Sequence, residues 1–402
     1  MATENNNKNL NVPNKREQSQ TRLGYAERKE QSLQGNVPNL RFPEFSGEWE
    51  KFRNDSLFNV VSEKNKGKQI TSVLSASQTD GMVSRDSLGI DIKFEEDSIK
   101  NYKIVREGDY VIHLRSFQGG FAFSDRVGVC SPAYTILRPT QQISYGFLKP
   151  FFMSNKFIDS LRLVTYGIRD GKSISVEEWL KLSTSLPSVE EQKKISAFLS
   201  LLDERIATQI KIIEDLKKLK SAIRARVFKQ LESNCECWTE IGNMLQYEQP
   251  SKYLVASTEY SDSYATPVLT ANKAFILGYT DEEFGIYSKG ECVIFDDFTM
   301  DVKFVNFPFK VKSSAIKILT SNSGNDLYFL YEYLQNLGLV SEEHKRHYIS
   351  EIEPMIVTCP TFEEQQNISN LLRSFDSKIE YANRELTLYN KQKQYLLSQM
   401  FI

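Results

Sequence analysis

The sequence is poor in the residues from which disulfide frameworks and metal sites are built. Only 5 cysteines and 3 histidines occur among 402 residues. The cysteine count is odd, and Cys235 and Cys237 are separated by a single residue, a spacing that zinc sites do not use. We therefore expect reduced thiols and no metal ion bound to this chain.

Long apolar runs and a strong excess of one charge are also missing. No run of about 18 apolar residues occurs, so we expect no membrane-spanning helix, and no apolar signal core opens the sequence. The formal net charge is −2. Residues 1–36 are rich in Asn, Gln, Lys and Glu, a composition typical of disordered tails. These features predict a cytoplasmic protein of two or three domains.

Motifs of catalysis and cofactor binding are incomplete. Residues 167–173 resemble a phosphate-binding loop but have 3 residues between the glycines, where the loop needs about four. The glycine fingerprint of dinucleotide-binding proteins is absent, as is the Asn/Asp-Pro-Pro-aromatic tetrapeptide of amino-methyltransferases. His344 and His347 stand one helical turn apart without a nearby Cys or His, so we interpret them as a solvated pair.

The sequence contains an internal repeat, in which one helix-opening segment occurs twice. Residues 187–206 recur 173 positions later as residues 360–379, with 9 identities in 20 positions. In the two copies Ser188 and Thr361 are N-cap candidates, each followed three positions on by a glutamate, which is the capping-box spacing. A duplicated unit predicts a pseudo-symmetric molecule.

Both copies continue as heptad patterns without Gly or Pro. Apolar residues alternate at intervals of four and three, which predicts two long helices packed together. Lys220 and Lys393 are equivalent polar breaks in these patterns. The residues expected to meet across the helix pair are Ile206, Ile213, Leu216, Ile223, Ile379, Leu386, Tyr389 and Leu396.

A second repeat, with a different offset, precedes each helix. Residues 108–112 match residues 290–294, 182 positions apart. The order is therefore domain, long helix, domain, long helix. The connecting loops differ, with residues 115–120 in one copy and 297–301 in the other. A shared frame with different loops is expected of two binding domains with different specificities.

One carboxylate cluster supports a competing interpretation as an enzyme. Asp296, Asp297 and Asp301 precede Lys303, a pattern like the acidic-x-Lys end of metal-dependent nucleases. There the carboxylates would hold magnesium and Lys303 would stabilise developing charge. The other copy has glycine and phenylalanine in place of Asp301 and Lys303, so this chemistry would be confined to one copy.

The repeated helix openings carry a resemblance to a known family. Residues 187–203 and 360–376 share the pattern Pro-x-x-Glu-Glu-Gln-x-x-Ile-x-x-x-Leu-x-x-x-Asp. Residues 37–49, which read Val-Pro-Asn-Leu-Arg-Phe-Pro-Glu-Phe and then Gly-Glu-Trp, resemble the opening of the same family. Over roughly residues 37–402 the chain resembles the specificity subunit of type I restriction–modification enzymes.

The resemblance implies a non-catalytic DNA-binding subunit of α+β class. Two mixed α/β target recognition domains, each reading half of a split double-stranded site, would be separated by two long helices that form an antiparallel coiled coil. The helices would seat two modification (methyltransferase) subunits, which restriction (translocase and nuclease) subunits join. S-adenosylmethionine, ATP and magnesium would be bound by these partners and not by this chain.

The repeats and the resemblance together divide the chain. We expect a disordered tail over residues 1–36, a first recognition domain over 37–186, a first helix over 187–233, a second recognition domain over 234–359 and a second helix over 360–402. Each recognition domain is expected to hold a hydrophobic core of its own.

The charge balance of the two predicted domains differs. Residues 49–186 contain 19 Lys/Arg and 16 Asp/Glu, a net charge of +3, whereas residues 238–359 contain 9 and 17, a net charge of −8. DNA affinity rests largely on neutralised phosphates, so the second domain must bind through local cation patches, for which Lys310, Lys312 and Lys317 are candidates, or rely on partner subunits. The other candidate DNA-binding residues are Lys64, Lys66, Lys68, Arg115, Ser116, Gln118, Arg169, Lys172, Asn272, Lys273, Thr299, Lys303, Lys345 and Arg346.

Two alternative functions stay open at the level of sequence. The chain could be the metal-dependent nuclease described above, or a coiled-coil adaptor that binds proteins without DNA. Cleavage of DNA by the purified chain with magnesium would favour the nuclease. Sequence-selective retention of DNA would exclude the adaptor.

Overall fold

The chain divides into two units, each built from one repeat and parts of both repeated helices. The computed structural model describes residues 35–77, 80–85, 96–113, 121–166, 173–270, 275–341 and 346–402. The first unit contains the chain up to Ala207 together with Thr387–Ile402, and the second unit contains Thr208–Leu386. Each unit therefore holds one domain and parts of both long helices.

An antiparallel sheet forms the centre of the first domain. Within the described residues its strands lie in the order Phe58–Val61, Thr135–Pro139, Tyr110–Ile112 and Ala122–Phe123. The smaller antiparallel pairs are Glu50–Arg53 with Ser183–Leu186, Leu74–Ser77 with Gly81–Ser84, Lys103–Val105 with Gly128–Cys130, and Thr165–Tyr166 with Ser173–Ile174. The short helices are Asn54–Leu57, Glu96–Asn101, Lys149–Phe152, Asn155–Ser160, Leu161–Val164 and Val176–Lys181.

The second domain repeats this sheet with the same strand order. Its described strands lie in the order Leu245–Glu248, Ile316–Ser321, Cys292–Asp296 and Val302–Val305. The remaining strands are Trp238–Glu240 with Ile356–Thr358, and Ile276–Thr280, Thr266–Leu269 and Lys310–Val311 in a second sheet. The short helices are Ile241–Met244, Pro250–Tyr253, Leu327–Asn336 and Tyr348–Ile352. The predicted α+β class with two related domains is confirmed.

Two long helices complete the repeat. The first long helix is Val189–Asn234, with 46 residues, and the second long helix is Phe362–Met400, with 39 residues. In the first unit the start of the first long helix packs with the end of the second, and in the second unit the pairing is reversed. Each unit therefore contains an antiparallel pair, as predicted. Among the described residues, no helix has the length and apolar character required to cross a membrane.

The hydrophobic core of the first domain continues into the helix pair. Leu199 and Leu396, one from each long helix, belong to the same buried cluster as Trp49. Phe401, just beyond the end of the second long helix, lies with its ring centroid 5.4 Å from that of Phe147 and 6.3 Å from that of Trp49. The end of the chain is therefore part of the first domain's core.

The second domain receives the end of the first long helix in the same way. Phe228, the repeat partner of Phe401, is fully buried, with its ring 5.5 Å from Phe329 and 4.9 Å from Tyr333. The expectation that each domain holds a core of its own is therefore wrong for the largest cluster of each domain, which includes both long helices. Smaller clusters, such as those around Val111 and Ile294, contain no long-helix residue. The strands and short helices leave an apolar face that only the two long helices cover.

We expect the Phe401→Ala variant to lose about 3–5 kcal/mol of unfolding free energy, because it removes a buried aromatic side chain from a packed core. Urea unfolding followed by far-ultraviolet circular dichroism measures this loss. The matched control is Tyr395→Ala on the second long helix, whose side chain is 62% exposed. Equal stability of the two variants would contradict the shared core.

Candidate nucleic-acid interface and its helical support

The glutamine of the repeated motif fixes the start of each long helix to its domain. Gln192 Oε1 accepts from the backbone N–H of Ser144 at 2.8 Å, and its Nε2 donates to the carbonyl of Pro187 at 3.0 Å. Gln365 repeats both bonds, to the N–H of Asp326 at 2.8 Å and to its own motif proline at 3.0 Å. Both glutamines are buried, so the bonds replace water that cannot reach these groups.

The glutamate of the motif differs between the copies. The Thr361 N–H donates to Glu364 Oε2 at 2.9 Å and the Thr361 hydroxyl accepts from the Glu364 N–H, which completes the predicted capping box. In the first copy Ser188 accepts from the Glu191 N–H at 3.3 Å, but the Glu191 carboxylate binds Arg41 through two bonds of 2.8 and 2.7 Å. Half of the first capping box is therefore replaced by an ion pair with the N-terminal segment.

The polar breaks in the seams form ion pairs between the long helices. Lys393 Nζ lies 2.5 Å from Asp203 Oδ1 in the first unit, and Lys220 Nζ lies 2.6 Å from Asp376 Oδ1 in the second. The two lysines are repeat partners, and so are the two aspartates of the motif. Each pair joins opposite helices and fixes their antiparallel register within its unit.

The predicted seam residues line the less exposed side of the helices. Gln209, also in the seam, donates from Nε2 to the carbonyl of Ala382 at 3.0 Å. The Arg205 guanidinium lies 4.6 Å from the centroid of the Tyr389 ring. Ile213 and Leu396 are buried, and Ile206, Leu216, Ile223, Ile379, Leu386 and Tyr389 are half-buried.

Three candidate phosphate-binding lysines of the first domain share one turn. Lys64, Lys66 and Lys68 are all exposed and follow the strand that ends at Val61. The buried Asn65 organises the turn, because its side chain donates to the Ile70 carbonyl at 2.7 Å and its own carbonyl accepts from the Lys68 N–H at 3.0 Å. Lys68 adopts the left-handed conformation, with φ of 51°. The turn therefore presents three ammonium groups on a fixed backbone.

Eight of the predicted DNA-contacting residues fall in segments beyond the described part of the chain. Arg115, Ser116, Gln118, Arg169, Lys172, Asn272, Lys273 and Lys345 lie outside the described residues. Of the described residues near Arg169 and Lys172 in sequence, Thr165–Tyr166 pairs antiparallel with Ser173–Ile174.

The structure brings two candidate segments of the second domain together. The Asp297 carboxylate, 1% exposed, accepts from the N–H groups of His347 at 3.0 Å and Tyr348 at 2.8 Å. Thr299 follows Asp297 by two positions, and Arg346 directly precedes His347. Both Thr299 and Arg346 are exposed. Asp297 therefore ties the loop that carries Thr299 to the segment that carries Arg346.

Two of the predicted phosphate-binding lysines are wrong. Lys310 is fully buried and pairs with Glu282 at 2.7 Å, while also donating to the carbonyl of Phe284 at 2.7 Å. Lys317 is 1% exposed and lies 3.5 Å from the Asp297 carboxylate. Neither ammonium group can reach a phosphate, so fewer cations face solvent in this acidic domain than its sequence indicates.

The carboxylates of the nuclease interpretation have structural partners. Asp296 Oδ1 accepts from the N–H groups of Phe298 at 2.7 Å and Thr299 at 3.0 Å, which closes a turn. Asp297 is buried against backbone N–H groups, whereas Asp301 and Lys303 are exposed. In the described part of the chain no group of three or more His, Cys, Asp or Glu is arranged to hold a metal ion. These contacts do not support the nuclease.

The interpretation of a solvated histidine pair is wrong for His347. Its side chain is 2% exposed, with Nδ1 2.9 Å from Glu351 Oε2 and Nε2 3.0 Å from the Ser341 hydroxyl. His344 lies outside the described residues. His347 therefore holds the segment next to Arg346 in place.

Sequence reasoning did not assign roles to several supporting residues. The motif glutamines were noted as part of a pattern, and Lys220 and Lys393 as breaks in one, but their partners are distant in sequence. Arg41 belongs to the opening segment, and nothing local shows that it binds Glu191. The signal that could have found the lysine–aspartate pairs is the recurrence of both charges in both copies.

The family model for the type I restriction modification DNA specificity domain matches residues 46–218 and 238–388. These two segments cover most of the chain and correspond to its two repeats. The chain belongs to the type I restriction–modification DNA specificity family.

Two curated relatives carry related descriptions. The chain is 42% identical over 176 residues to the Type I restriction enzyme EcoR124I/EcoR124II specificity subunit of Escherichia coli, a match that covers 40% of this chain and 44% of that protein. It is 24% identical over 265 residues to a putative type I restriction enzyme MjaX specificity subunit of Methanocaldococcus jannaschii, covering 56% and 60%. The chain thus matches about half the length of these relatives.

Solved structures share the fold over nearly the whole chain. The S subunit of a type I restriction–modification system from M. genitalium covers 91% of this chain and 99% of its own, with a TM-score of 0.57 and 16% identity. A chain described under complex assembly and conformational transition of the type I R-M system covers 89% and 98%, with a TM-score of 0.55 and 15% identity. At these identities the likeness is one of fold.

The two interhelical ion pairs predict different responses to the same substitution. We expect Lys220→Met to cost about 3 kcal/mol, as for removing one partner of a buried pair. The reason is that Lys220 also contacts Glu332, which is fully buried and would keep only Arg224 as a cationic partner. Lys393→Met should cost about 0–1 kcal/mol, because the Asp203 side chain is 44% exposed.

Chemical denaturation of both variants beside the unaltered chain measures these costs. Lys393→Met is the matched control, because the two lysines occupy equivalent positions of the repeat. Similar losses for both variants would show that the buried Glu332 does not distinguish the two sites.

Proposed function

We propose that this chain is the DNA-recognition subunit of a type I restriction–modification complex and reads a two-part double-stranded site. The observation that carries the proposal is one sheet topology used twice, on a shared helix pair, with loops that differ. Membership of the DNA specificity family supports it. Each domain would read one half of the site, and the pair would direct methylation and restriction carried out by partner subunits.

The expected partners follow from the same proposal. Two modification subunits, which bind S-adenosylmethionine, would assemble on this chain, and restriction subunits using ATP and magnesium would join them. The two repeated helix openings would supply two related binding sites for a partner present in two copies. A chain that reads DNA works where the chromosome is, so we place it in the bacterial cytoplasm.

In the first domain, the turn that carries Lys64, Lys66 and Lys68 is proposed to bind phosphates of the DNA backbone. Its ammonium groups are exposed, close in sequence and held on a backbone that Asn65 fixes. A fixed cluster of cations loses less conformational freedom on binding than the same charges on a mobile loop. Phosphate contacts position a protein on the duplex, while base contacts supply the sequence preference.

The second domain is proposed to rely on few exposed cations. Lys303, Lys312 and Arg346 are exposed, whereas Lys310 and Lys317 are neutralised inside the fold. A domain with a net charge of −8 gains little from general attraction to DNA. Its half-site would be held through hydrogen bonds near Thr299 and Arg346 and through the positioning supplied by the rest of the complex.

A direct experiment separates this proposal from the two alternatives. The purified chain, alone and with its modification subunits, is incubated with a randomised DNA library and magnesium. We expect enrichment of a two-part motif and no cleavage or methyl transfer by the chain alone. Cleavage by the chain alone would favour the nuclease, and absence of selective retention in either state would favour the adaptor.

Substituting Lys64, Lys66 and Lys68 together by Ala should weaken binding to all sequences alike. The dependence of log affinity on log salt should flatten by about 0.9 for each phosphate that the variant no longer neutralises. Fluorescence anisotropy over a salt series measures both effects. The control is Lys181→Ala, whose ammonium is already paired with Glu177 and Glu178. A weakening confined to one sequence would mean that these lysines read bases.

Exchanging the first domain for that of another family member should change one half of the site only. Because its core includes Leu199, Leu396 and Phe401, the graft must keep the residues that face the long helices. Comparison of the motifs methylated by the unaltered and chimaeric complexes gives the result. A chimaera that folds but changes both halves would contradict independent reading.

A further inference from the structure

The two copies differ in a buried polar cluster of the second unit. Lys220 Nζ lies 2.6 Å from both Glu332 Oε1 and Asp376 Oδ1. The Tyr328 hydroxyl donates to Glu332 at 2.9 Å and also bonds Asp376. Glu332 is fully buried and comes from the short helix Leu327–Asn336. The domain thus inserts a tyrosine and a glutamate against the interhelical ion pair.

An arginine of the second long helix covers this cluster. The Arg373 guanidinium carbon lies 4.2 Å from the centroid of the Tyr328 ring and 5.0 Å from that of Phe304. Arg373 also pairs with Glu291 at 3.1 Å. A guanidinium over aromatic faces is stabilised by the ring quadrupoles. In the second copy, the cation that covers the polar cluster therefore comes from this chain.

The first copy keeps the ion pair but lacks these three side chains. By the offsets of the repeat, Gly146 stands for Tyr328, Pro150 for Glu332 and Ser200 for Arg373. The equivalence is structural, because the backbone N–H groups of Ser144 and Asp326 donate in the same way to Oε1 of their motif glutamines. The position that supplies a tyrosine hydroxyl to Asp376 in the second copy is thus a glycine in the first.

A cavity of about 330 Å³ lies at this place in the first unit. Its volume is at the small end of the roughly 300–1,000 Å³ typical of ligand pockets. All three substituted positions contribute to its walls. The lining residues are Phe123, Asp125, Tyr145, Gly146, Lys149, Pro150, Ser196, Ala197, Leu199, Ser200 and Asp203.

The walls of the cavity fit a planar cation. The Phe123 and Tyr145 rings meet edge to face at 5.2 Å, and two carboxylates against one ammonium give the lining a net negative charge. Asp125 is paired with Arg126, but the Asp203 side chain is 44% exposed and its ion pair with Lys393 uses Oδ1. Because Lys149 Nζ already lies 5.9 Å from the Phe123 ring centroid, one carboxylate edge and the Tyr145 ring remain for an added group.

We propose that this cavity receives an arginine side chain from a partner protein, which supplies to the first copy the guanidinium that Arg373 supplies to the second. The inference rests on the proposed function, under which the partner is the modification subunit. Arginine is favoured over lysine because its flat group stacks on rings and binds carboxylates through two bonds. The buried hydroxyl of Ser196, which has no hydrogen-bond partner, lies in the same wall.

The proposal makes the two seats on this chain unequal. The first would require an arginine from the partner, and the second would not, since Arg373 already occupies the corresponding place. Two modification subunits should then bind with different requirements. The affinity of the subunit at the first seat should depend on this cavity, and the affinity at the second seat should not.

Filling the cavity tests the proposal. Ser200 is exposed on the first long helix, so Ser200→Trp should fold normally while its ring occupies the space. Isothermal titration of the full chain with purified modification subunit should show one of two binding events weakened by about tenfold or more, which is about 1.4 kcal/mol. Ser200→Ala is the matched control and should bind as the unaltered chain does.

The chemistry of the occupant is tested by cross-linking. A photoreactive benzoylphenylalanine in place of Ala197, an exposed wall residue, should couple to a modification-subunit peptide that contains arginine. A modification subunit in which that arginine is replaced by Ala should bind the unaltered chain with one of its two affinities weakened. The same subunit should bind the Ser200→Arg variant without this loss, because that variant carries its own guanidinium. Coupling to a peptide without arginine, or no coupling, would overturn the assignment.

The outcomes separate this inference from the proposed function. If the unaltered chain selects a two-part DNA motif and assembles, but Ser200→Trp assembles with both affinities unchanged, only the inference fails. If the unaltered chain neither selects DNA nor binds the modification subunit, both fail. Melting temperatures of the Ser200 variants equal to that of the unaltered chain show that any weakening comes from the cavity.

Discussion

The apolar packing of both long helices into each domain is the constraint on which the rest of the structure depends. Each domain leaves open a face that the start of one helix and the end of the other cover, with Phe401 and Phe228 as buried aromatic anchors. The motif glutamines then fix the helix starts. Because core and helix pair are one packed body in each unit, loops can vary at the surface while the frame stays unchanged.

The internal repeat shows which parts of this frame tolerate change. The helix-start glutamine, the interhelical Lys–Asp pair and the terminal aromatic occur in both copies with equivalent partners. The charges around them have diverged. The second copy buries Glu332 and stacks Arg373, whereas the first has small residues and a cavity. Buried charges need partners, so a change at one position required matching changes at its neighbours.

Much of the fold could be predicted from the sequence because its signals are local or repeated. Helix caps, heptads and the order of domains follow from spacing alone, and the shared sheet topology is indicated because three of the four strands recur at nearly the same offset. The candidate site was harder to predict from the sequence. Lysines in a strand look alike whether they face solvent or, like Lys310, meet a buried carboxylate such as Glu282. Burial depends on partners distant in sequence, which spacing does not reveal.

The central claim is that this one chain specifies a two-part DNA site through two domains on a common frame. The measurement that tests it most directly is methylome sequencing of a bacterial host that carries the modification subunit, with and without this chain. The account predicts that one new methylated motif appears with the chain, made of two short specific halves separated by a fixed unspecific gap. No new motif, or a single uninterrupted one, would contradict it.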